Sequence, residues 1–160
     1  MRDLFNKPRQ HLSAPSSSAH RAGVTYTDMK EIEKAGYFLS NRNIYIVEDD
    51  PSVSNALVRF LEIRGLEVAV FDTAEAFLGE LHKLPSGSLI VDMQLPGLTG
   101  LQLLDEMARS GIHWPAVVMS GAHEGHEDAV SSALGPGSYL RKPFDADALL
   151  RMLHSASLKL

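Results

Sequence analysis

The sequence contains no cysteine. Disulfides, thiol nucleophiles and thiolate metal sites are thereby excluded. No apolar run approaches the ~20 residues needed to span a bilayer, and the N-terminus lacks the apolar core of a secretory signal. No membrane partner is expected, and a cytoplasmic protein is the simplest reading. Positive charge is also in short supply: 15 Lys and Arg stand against 20 Asp and Glu, a formal charge of −5. Direct binding to nucleic acid, which calls for a basic face, is therefore not expected. What remains is ordinary, 44% apolar residues in a chain of 160, enough for one domain with a real core.

The charge is unevenly spread. Residues 1–30 carry five Lys/Arg and two Asp, a balance of +3, whereas residues 31–160 carry ten against eighteen, a balance of −8. Residues 1–27 are rich in Ser, Ala and His, with Pro8, Pro15 and the run Ser16-Ser17-Ser18. Such a segment buries too little apolar surface to order itself. Asp28-Met29-Lys30-Glu31 fits a capping box, so a short helix over about 29–36, ended by Gly36, has room to form. Met29 is equally an alternative start. Residues 1–42 are read as a largely disordered N-terminal extension and residues 43–160 as the folded domain.

The domain is organised around Ser88 to Gly100, SLIVDMQLPGLTG. Leu89-Ile90-Val91 reads as a strand buried on both faces of a parallel sheet. Asp92 follows at once, and Pro96, Gly97 and Gly100 stop the strand and leave the carboxylate at a mouth. Taken alone, Asp92 serves equally well as a cap for the following loop. The same pattern recurs along the chain. Ile44–Val47 runs into Glu48, Asp49 and Asp50. Asp50 before Pro51 is a natural helix N-cap, which leaves Glu48 and Asp49 without a structural job unless the three form a solvated acidic loop. Helix one then covers about 51–64, with Val53, Ala56, Leu57, Phe60 and Leu61 on one face and Gly65 at its end. Strand two is 66–71, and helix two, about 73–83, is capped by Asp72 or Thr73. Thr99 starts helix three to about Arg109, with Leu101, Leu104, Met107 and Ala108 inward. Ala116–Met119 is strand four and delivers Ser120 and Gly121. A weak helix four, about 126–134, precedes Gly135-Pro136-Gly137. Ser138–Arg141 is strand five and delivers Lys142-Pro143, and Asp145 caps a last helix to about 157 carrying Leu149, Leu150 and Leu153. Strand and helix thus alternate five times. That predicts an α/β fold, a doubly wound five-stranded parallel sheet of flavodoxin-like type, with right-handed crossovers.

In such a sheet the C-terminal ends of the strands share one edge, where ligands bind. Glu48 and Asp49, Asp92, Ser120 and Lys142 should converge there. Three carboxylates without a soft ligand suit a hard divalent cation, and Mg²⁺ fits a site completed by water and phosphate. Ser120 can donate a hydrogen bond to a phosphoryl oxygen, and Lys142 offers a compact positive charge to another. Asp92 is the natural nucleophile for an aspartyl phosphate.

With Val47-Glu48-Asp49, Asp92 with Leu95-Pro96-Gly97 and Gly100, Ser120-Gly121 and Lys142-Pro143-Phe144, the sequence resembles the receiver domain of two-component response regulators over about residues 43–157. The wording around Asp50-Pro51-Ser52-Val53 and Lys142-Pro143-Phe144-Asp145 is most similar to FixJ-type receivers. The resemblance implies that Asp92 accepts phosphate from a phosphohistidine on a sensor histidine kinase or phosphotransfer protein. It implies that Asp49 ligates Mg²⁺ directly, Glu48 through water, and the backbone carbonyl of Gln94 completes the protein ligands. Ser120 and Lys142 would bind phosphoryl oxygens, Ser120 and Tyr139 would form a switch pair, and the Lys142–Pro143 bond would be cis. The implied role is a stand-alone signalling domain that runs its own phosphorylation and dephosphorylation, with no separate substrate. Its output would pass to another protein through helix four, strand five and helix five, a face that also serves dimers.

Three features depart from the family pattern: Glu48 for the commoner Asp, Ser120 for the commoner Thr, and Gly135-Pro136-Gly137 in the switch region. No output domain is expected after Leu160. Gln94 and Ala122 lie where the family tunes phosphate lifetime. His123, Glu124, His126 and Glu127 are read as a surface loop, Asp145 and Asp147 as helix-start charges, and Trp114 as packing. Two other functions compete: a receiver-like interaction module that is never phosphorylated, and a flavodoxin-type cofactor binder, which would need a phosphate-cradling loop where this chain carries acids.

Overall fold

The computed structural model describes residues 42–121, 125, 127–135 and 137–158. The elements run β1 (Asn43–Val47), α1 (Pro51–Glu62), β2 (Glu67–Phe71), α2 (Ala74–Glu80) with a 3₁₀ turn Leu81–Lys83, β3 (Ser88–Asp92), α3 (Gly100–Arg109), β4 (Ala116–Ser120), α4 (Glu127–Leu134), β5 (Tyr139–Arg141) and α5 (Ala146–Ser157). The five strands are parallel and ordered β2-β1-β3-β4-β5. The extension and the short helix expected over 29–36 lie outside the described residues. Arg42 already joins the fold: its carbonyl accepts from the Glu67 amide at 2.9 Å and its guanidinium donates to the Gly65 carbonyl at 2.6 Å.

The apolar runs form the three central strands because those strands are covered on both faces. Side chains alternate between the faces. Tyr45, Val47, Leu89, Val91, Ala116 and Val118 meet Phe77 of α2, Leu103 and Met107 of α3 and Val130 of α4. Ile44, Ile46, Ile90, Val117 and Met119 meet Leu57 and Leu61 of α1 and Leu149, Leu150 and Leu153 of α5. The first face carries an aromatic cluster. Trp114 stacks on Tyr45 with centroids 5.2 Å apart, and Phe77 stands edge-on to Phe71 at 5.2 Å. Trp114 is thus a packing residue.

Helix starts follow the expected chemistry. Asp50 accepts from the Ser52 amide, Thr73 from Ala76, and Asp145 from Asp147. Thr99 and Gln102 form a reciprocal capping box. The helical faces differ from expectation at four positions. Ala56 and Ala108 are exposed, whereas Ser54 and Leu103 are buried. Ser54 tolerates burial because its hydroxyl donates to the Asp50 carbonyl at 3.1 Å. Asp147 is more than a helix-start charge, since Arg64, lying over the Phe60 ring, reaches it at 3.3 Å.

Tyr45 donates its hydroxyl to the Pro85 carbonyl at 2.7 Å. Burial, and then the negative charge of Glu67, hold its phenol above its ordinary pKa. A group raised in this way stabilises the fold fully below its unfolded pKa of about 10 and loses that contribution as pH rises through the folded value. Stability should therefore fall above about pH 10. Tyr45→Phe should flatten that slope while losing about 1 kcal/mol at neutral pH with the hydrogen bond. Urea unfolding of both proteins across this range measures the difference, and identical alkaline slopes would contradict the assignment.

Candidate functional site

Three of the parallel strands deliver the charged groups. The β1–β2 ladder continues one residue past β1, where the Glu48 amide donates to the Phe71 carbonyl at 3.0 Å. This carries Glu48 to the sheet edge with its side chain buried. Asp92 ends β3 and is mostly buried, its backbone paired in register with Met119 of β4. Gly100 packs its α-carbon against the Asp92 carbonyl, where a side chain would collide. The Lys142 amide donates to the Ser120 carbonyl at 2.7 Å, extending the β4–β5 ladder to the same edge.

From there the Lys142 ammonium donates to Asp92 Oδ2 at 2.8 Å and to Glu48 Oε2 at 2.9 Å. Carboxylate oxygens of Glu48, Asp49 and Asp92 all lie within 4.8 Å of one another. No other group of three or more acidic or histidine side chains close enough to share an ion occurs among the described residues. Asp49 is exposed, and it faces the cluster from the solvent side. Asp92 Oδ1 also accepts from the Gln94 amide at 3.2 Å.

Burial pushes the Glu48 carboxyl above its ordinary pKa, a shift that the Lys142 hydrogen bond opposes and the charge of Asp92 reinforces. Burial pulls the Lys142 ammonium down, but the hydrogen bonds and charges of Asp92 and Glu48 outweigh it, and its pKa lies above the ordinary lysine value. The lysine therefore stays charged and holds the carboxylates together.

Sequence reasoning left Glu48 without a structural job, yet the structure gives it two. Oε1 accepts from the Asp50 amide at 3.1 Å and Oε2 from Lys142. Ser120 is fully buried, its hydroxyl 3.4 Å from the Gly121 carbonyl. Tyr139 is half-buried against the core, and its enclosed hydroxyl has no hydrogen-bond partner among the described residues. The Lys142–Pro143 bond is cis. Ala122, His123, Glu124 and His126 lie outside the described residues, while Glu127 pairs with Arg141 at 2.7 Å. One contributor was missed in the sequence. Glu75 of α2 accepts from the Leu98 amide at 2.9 Å, in the loop that follows Asp92. Nothing in its local sequence sets it apart from a helix-start charge.

A model of the response regulator receiver domain matches residues 44–154. The chain belongs to this family. Similar relatives include the transcriptional regulatory protein FixJ of Bradyrhizobium diazoefficiens, 34% identical over 71% of this chain and 56% of its own length. The response regulator protein TmoT of Ectopseudomonas mendocina is 34% identical over 71% of this chain and 51% of its own. The chain spans about half the length of these curated relatives. A crystal structure of FixJ-N superposes with a TM-score of 0.67 at 27% identity, covering 74% of this chain and 94% of that one. Receiver domains serve phosphorylation-based two-component signalling, contact sensor kinases and output domains, and generally bind Mg²⁺ at an acidic pocket. The residues here fit such an ion. The donors are all oxygen, as a hard cation requires, and three carboxylates against one ammonium leave a formal charge of −2 for a cation to offset.

Removing the lysine isolates the buried acids. Lys142→Met should destabilise the metal-free protein by about 1–3 kcal/mol at neutral pH. In the variant the folded pKa of Glu48 rises further, so its carboxylate opposes folding above that value and ceases to do so once protonated. The deficit should shrink as pH falls toward the ordinary Glu value of about 4.3. Urea titrations of both proteins between these limits test this, and a deficit independent of pH would contradict it.

Proposed function

We propose that this chain accepts a phosphoryl group on Asp92 from the phosphohistidine of a sensor kinase or phosphotransfer protein, with residues 43–160 acting as the receiver and residues 1–42 as an extension. A carboxylate oxygen of Asp92 attacks phosphorus, the P–N bond to the donor imidazole breaks, and an acyl phosphate forms. The observation that carries this reading is the Lys142 ammonium at 2.8 Å from Asp92 Oδ2, placed to meet the negative charge that arrives with the phosphoryl group. Ser120, at the end of the neighbouring strand, is read as the hydroxyl donor to a second phosphoryl oxygen. Asp49, Asp92 and the Gln94 carbonyl would hold Mg²⁺, with Glu48 in support. When bound, the ion supplies charge neutralisation at the transferring group.

The readout is read as a two-state surface. The enclosed Tyr139 hydroxyl, without a hydrogen-bond partner among the described residues, is an unfavourable placement. Movement of Ser120 toward an arriving phosphate would let the ring shift and alter the face of α4, β5 and α5. The output is then contact with a separate protein, or with a second copy of this chain. The −8 balance of residues 31–160 argues against direct contact with nucleic acid. No substrate other than the phosphodonor is needed, and the chemistry is that of a self-phosphorylating switch.

Incubation with acetyl phosphate and Mg²⁺ should add one phosphoryl mass to the wild-type protein and none to Asp92→Asn. Chelating the metal should abolish the addition. Equal labelling of wild type and Asp92→Asn would refute the assignment, and absence of both labelling and Mg²⁺ binding would favour a receiver-like module that signals without phosphate.

A further inference from the structure

We propose that Glu75 is a positioning residue for the phosphorylation site, clamping the β3–α3 loop so that the Gln94 carbonyl is held beside Asp92. The inference rests on the reading of Asp92, Asp49 and Gln94 given above and deepens it.

Glu75 stands in the first turn of α2, whose N-cap is Thr73. A carboxylate there needs no further reason, since it offsets the positive end of the helix. Its side chain nevertheless leaves its own helix. Oε1 accepts from the Leu98 amide at 2.9 Å, across 23 residues of sequence. The same carboxylate fills the space that a β-carbon on Gly97 would occupy. Gly97 has φ +79°, a conformation in which a residue with a side chain is strained. Two successive loop residues are thus shaped around one acid: glycine gives it room, and the next amide donates to it. A hydrogen bond with an ionised acceptor is about twice as strong as a neutral one.

The loop has other anchors, among them the Met93 amide, which donates to the Met119 carbonyl at 2.8 Å, and the buried Leu95 side chain. At its start the Gln94 amide donates to Asp92 Oδ1 at 3.2 Å. At its end the Gly100 amide donates to the Met93 carbonyl at 3.0 Å, beside the Thr99–Gln102 capping box. Glu75 holds the segment between them. Without it, the loop keeps its ends and the core packing of Leu95 but loses the grip at Gly97 and Leu98, which loosens the backbone that carries Gln94. Metal affinity depends on such outer partners, whose removal weakens binding by about tenfold or more.

The test compares wild type, Glu75→Ala and Glu75→Gln. Amide exchange at Gln94 and Leu98 is followed by NMR in the metal-free protein, and MgCl₂ affinity is measured by calorimetry. Glu75→Ala should raise the Mg²⁺ Kd about tenfold and speed exchange at both amides, while acetyl phosphate labelling at saturating Mg²⁺ approaches the wild-type level. Glu75→Gln keeps an acceptor oxygen and should restore Kd to within about twofold. A Glu75→Ala protein that is less stable but unchanged in Kd and in Gln94 exchange has lost only a helix-start charge, and the proposal is overturned. If wild type itself neither binds Mg²⁺ nor takes label, the reading of the site fails and the positioning role with it. If wild type does both and Glu75→Ala matches its Mg²⁺ Kd and its Gln94 exchange, the role of Glu75 alone is wrong.

Discussion

The Lys142 ammonium, donating at once to Glu48 and Asp92, is the interaction on which the rest of the site depends. It ties the end of β5 to the ends of β1 and β3, strands that are not all neighbours in the sheet. Two acids whose oxygens lie within 4.8 Å would repel strongly in so dry a place without it. The bridge also leaves work undone. One ammonium cannot balance three carboxylates, and the exposed Asp49 keeps the cluster open to solvent. A site that is closed on the protein side and underneutralised on the solvent side is suited to receiving a cation and a phosphoryl group together.

Such a cluster needs a rigid mount, and the sheet provides it. The central strands are buried on both faces by apolar side chains, so the positions of their ends are set by packing and not by the site. Parallel strands bring those ends to one edge without further instruction. The loops then do finer work. Gly100 admits the Asp92 carbonyl, Asp92 itself orders Gln94, and Glu75 reaches in from a helix on the other side of the loop. Rigid strands fix the acids and the lysine, and the loops adjust what lies between them.

The division between rigid strands and adjusted loops is also the division between what the sequence reveals and what it hides. Leu89-Ile90-Val91 ending in Asp92 declares a buried strand and an edge carboxylate, because run length and turn chemistry are local. Asp50, Thr99 and Asp145 declare helix starts for the same reason. The shared edge follows from topology, and topology follows from strict strand–helix alternation. Contacts between distant elements are different. The grip of Glu48 on Lys142 spans 94 residues, and that of Glu75 on Leu98 spans 23. Nothing in the immediate sequence of either glutamate encodes its partner. The alanines misled for another reason. Ala56 and Ala108 suit a helix on either face, so periodicity alone assigns them poorly, while Ser54 is buried through a bond to its own preceding turn.

The most direct test of the account is where a divalent ion goes. Mn²⁺, a paramagnetic oxygen-seeking substitute for Mg²⁺, can be titrated into isotope-labelled protein while backbone resonances are followed by NMR. The account predicts that substoichiometric Mn²⁺ first broadens the amides of Glu48, Asp49, Asp92 and Gln94, that Mg²⁺ in excess restores them, and that Trp114 at the opposite edge is untouched. Broadening spread evenly over the acidic surface, or centred away from those four residues, would contradict it.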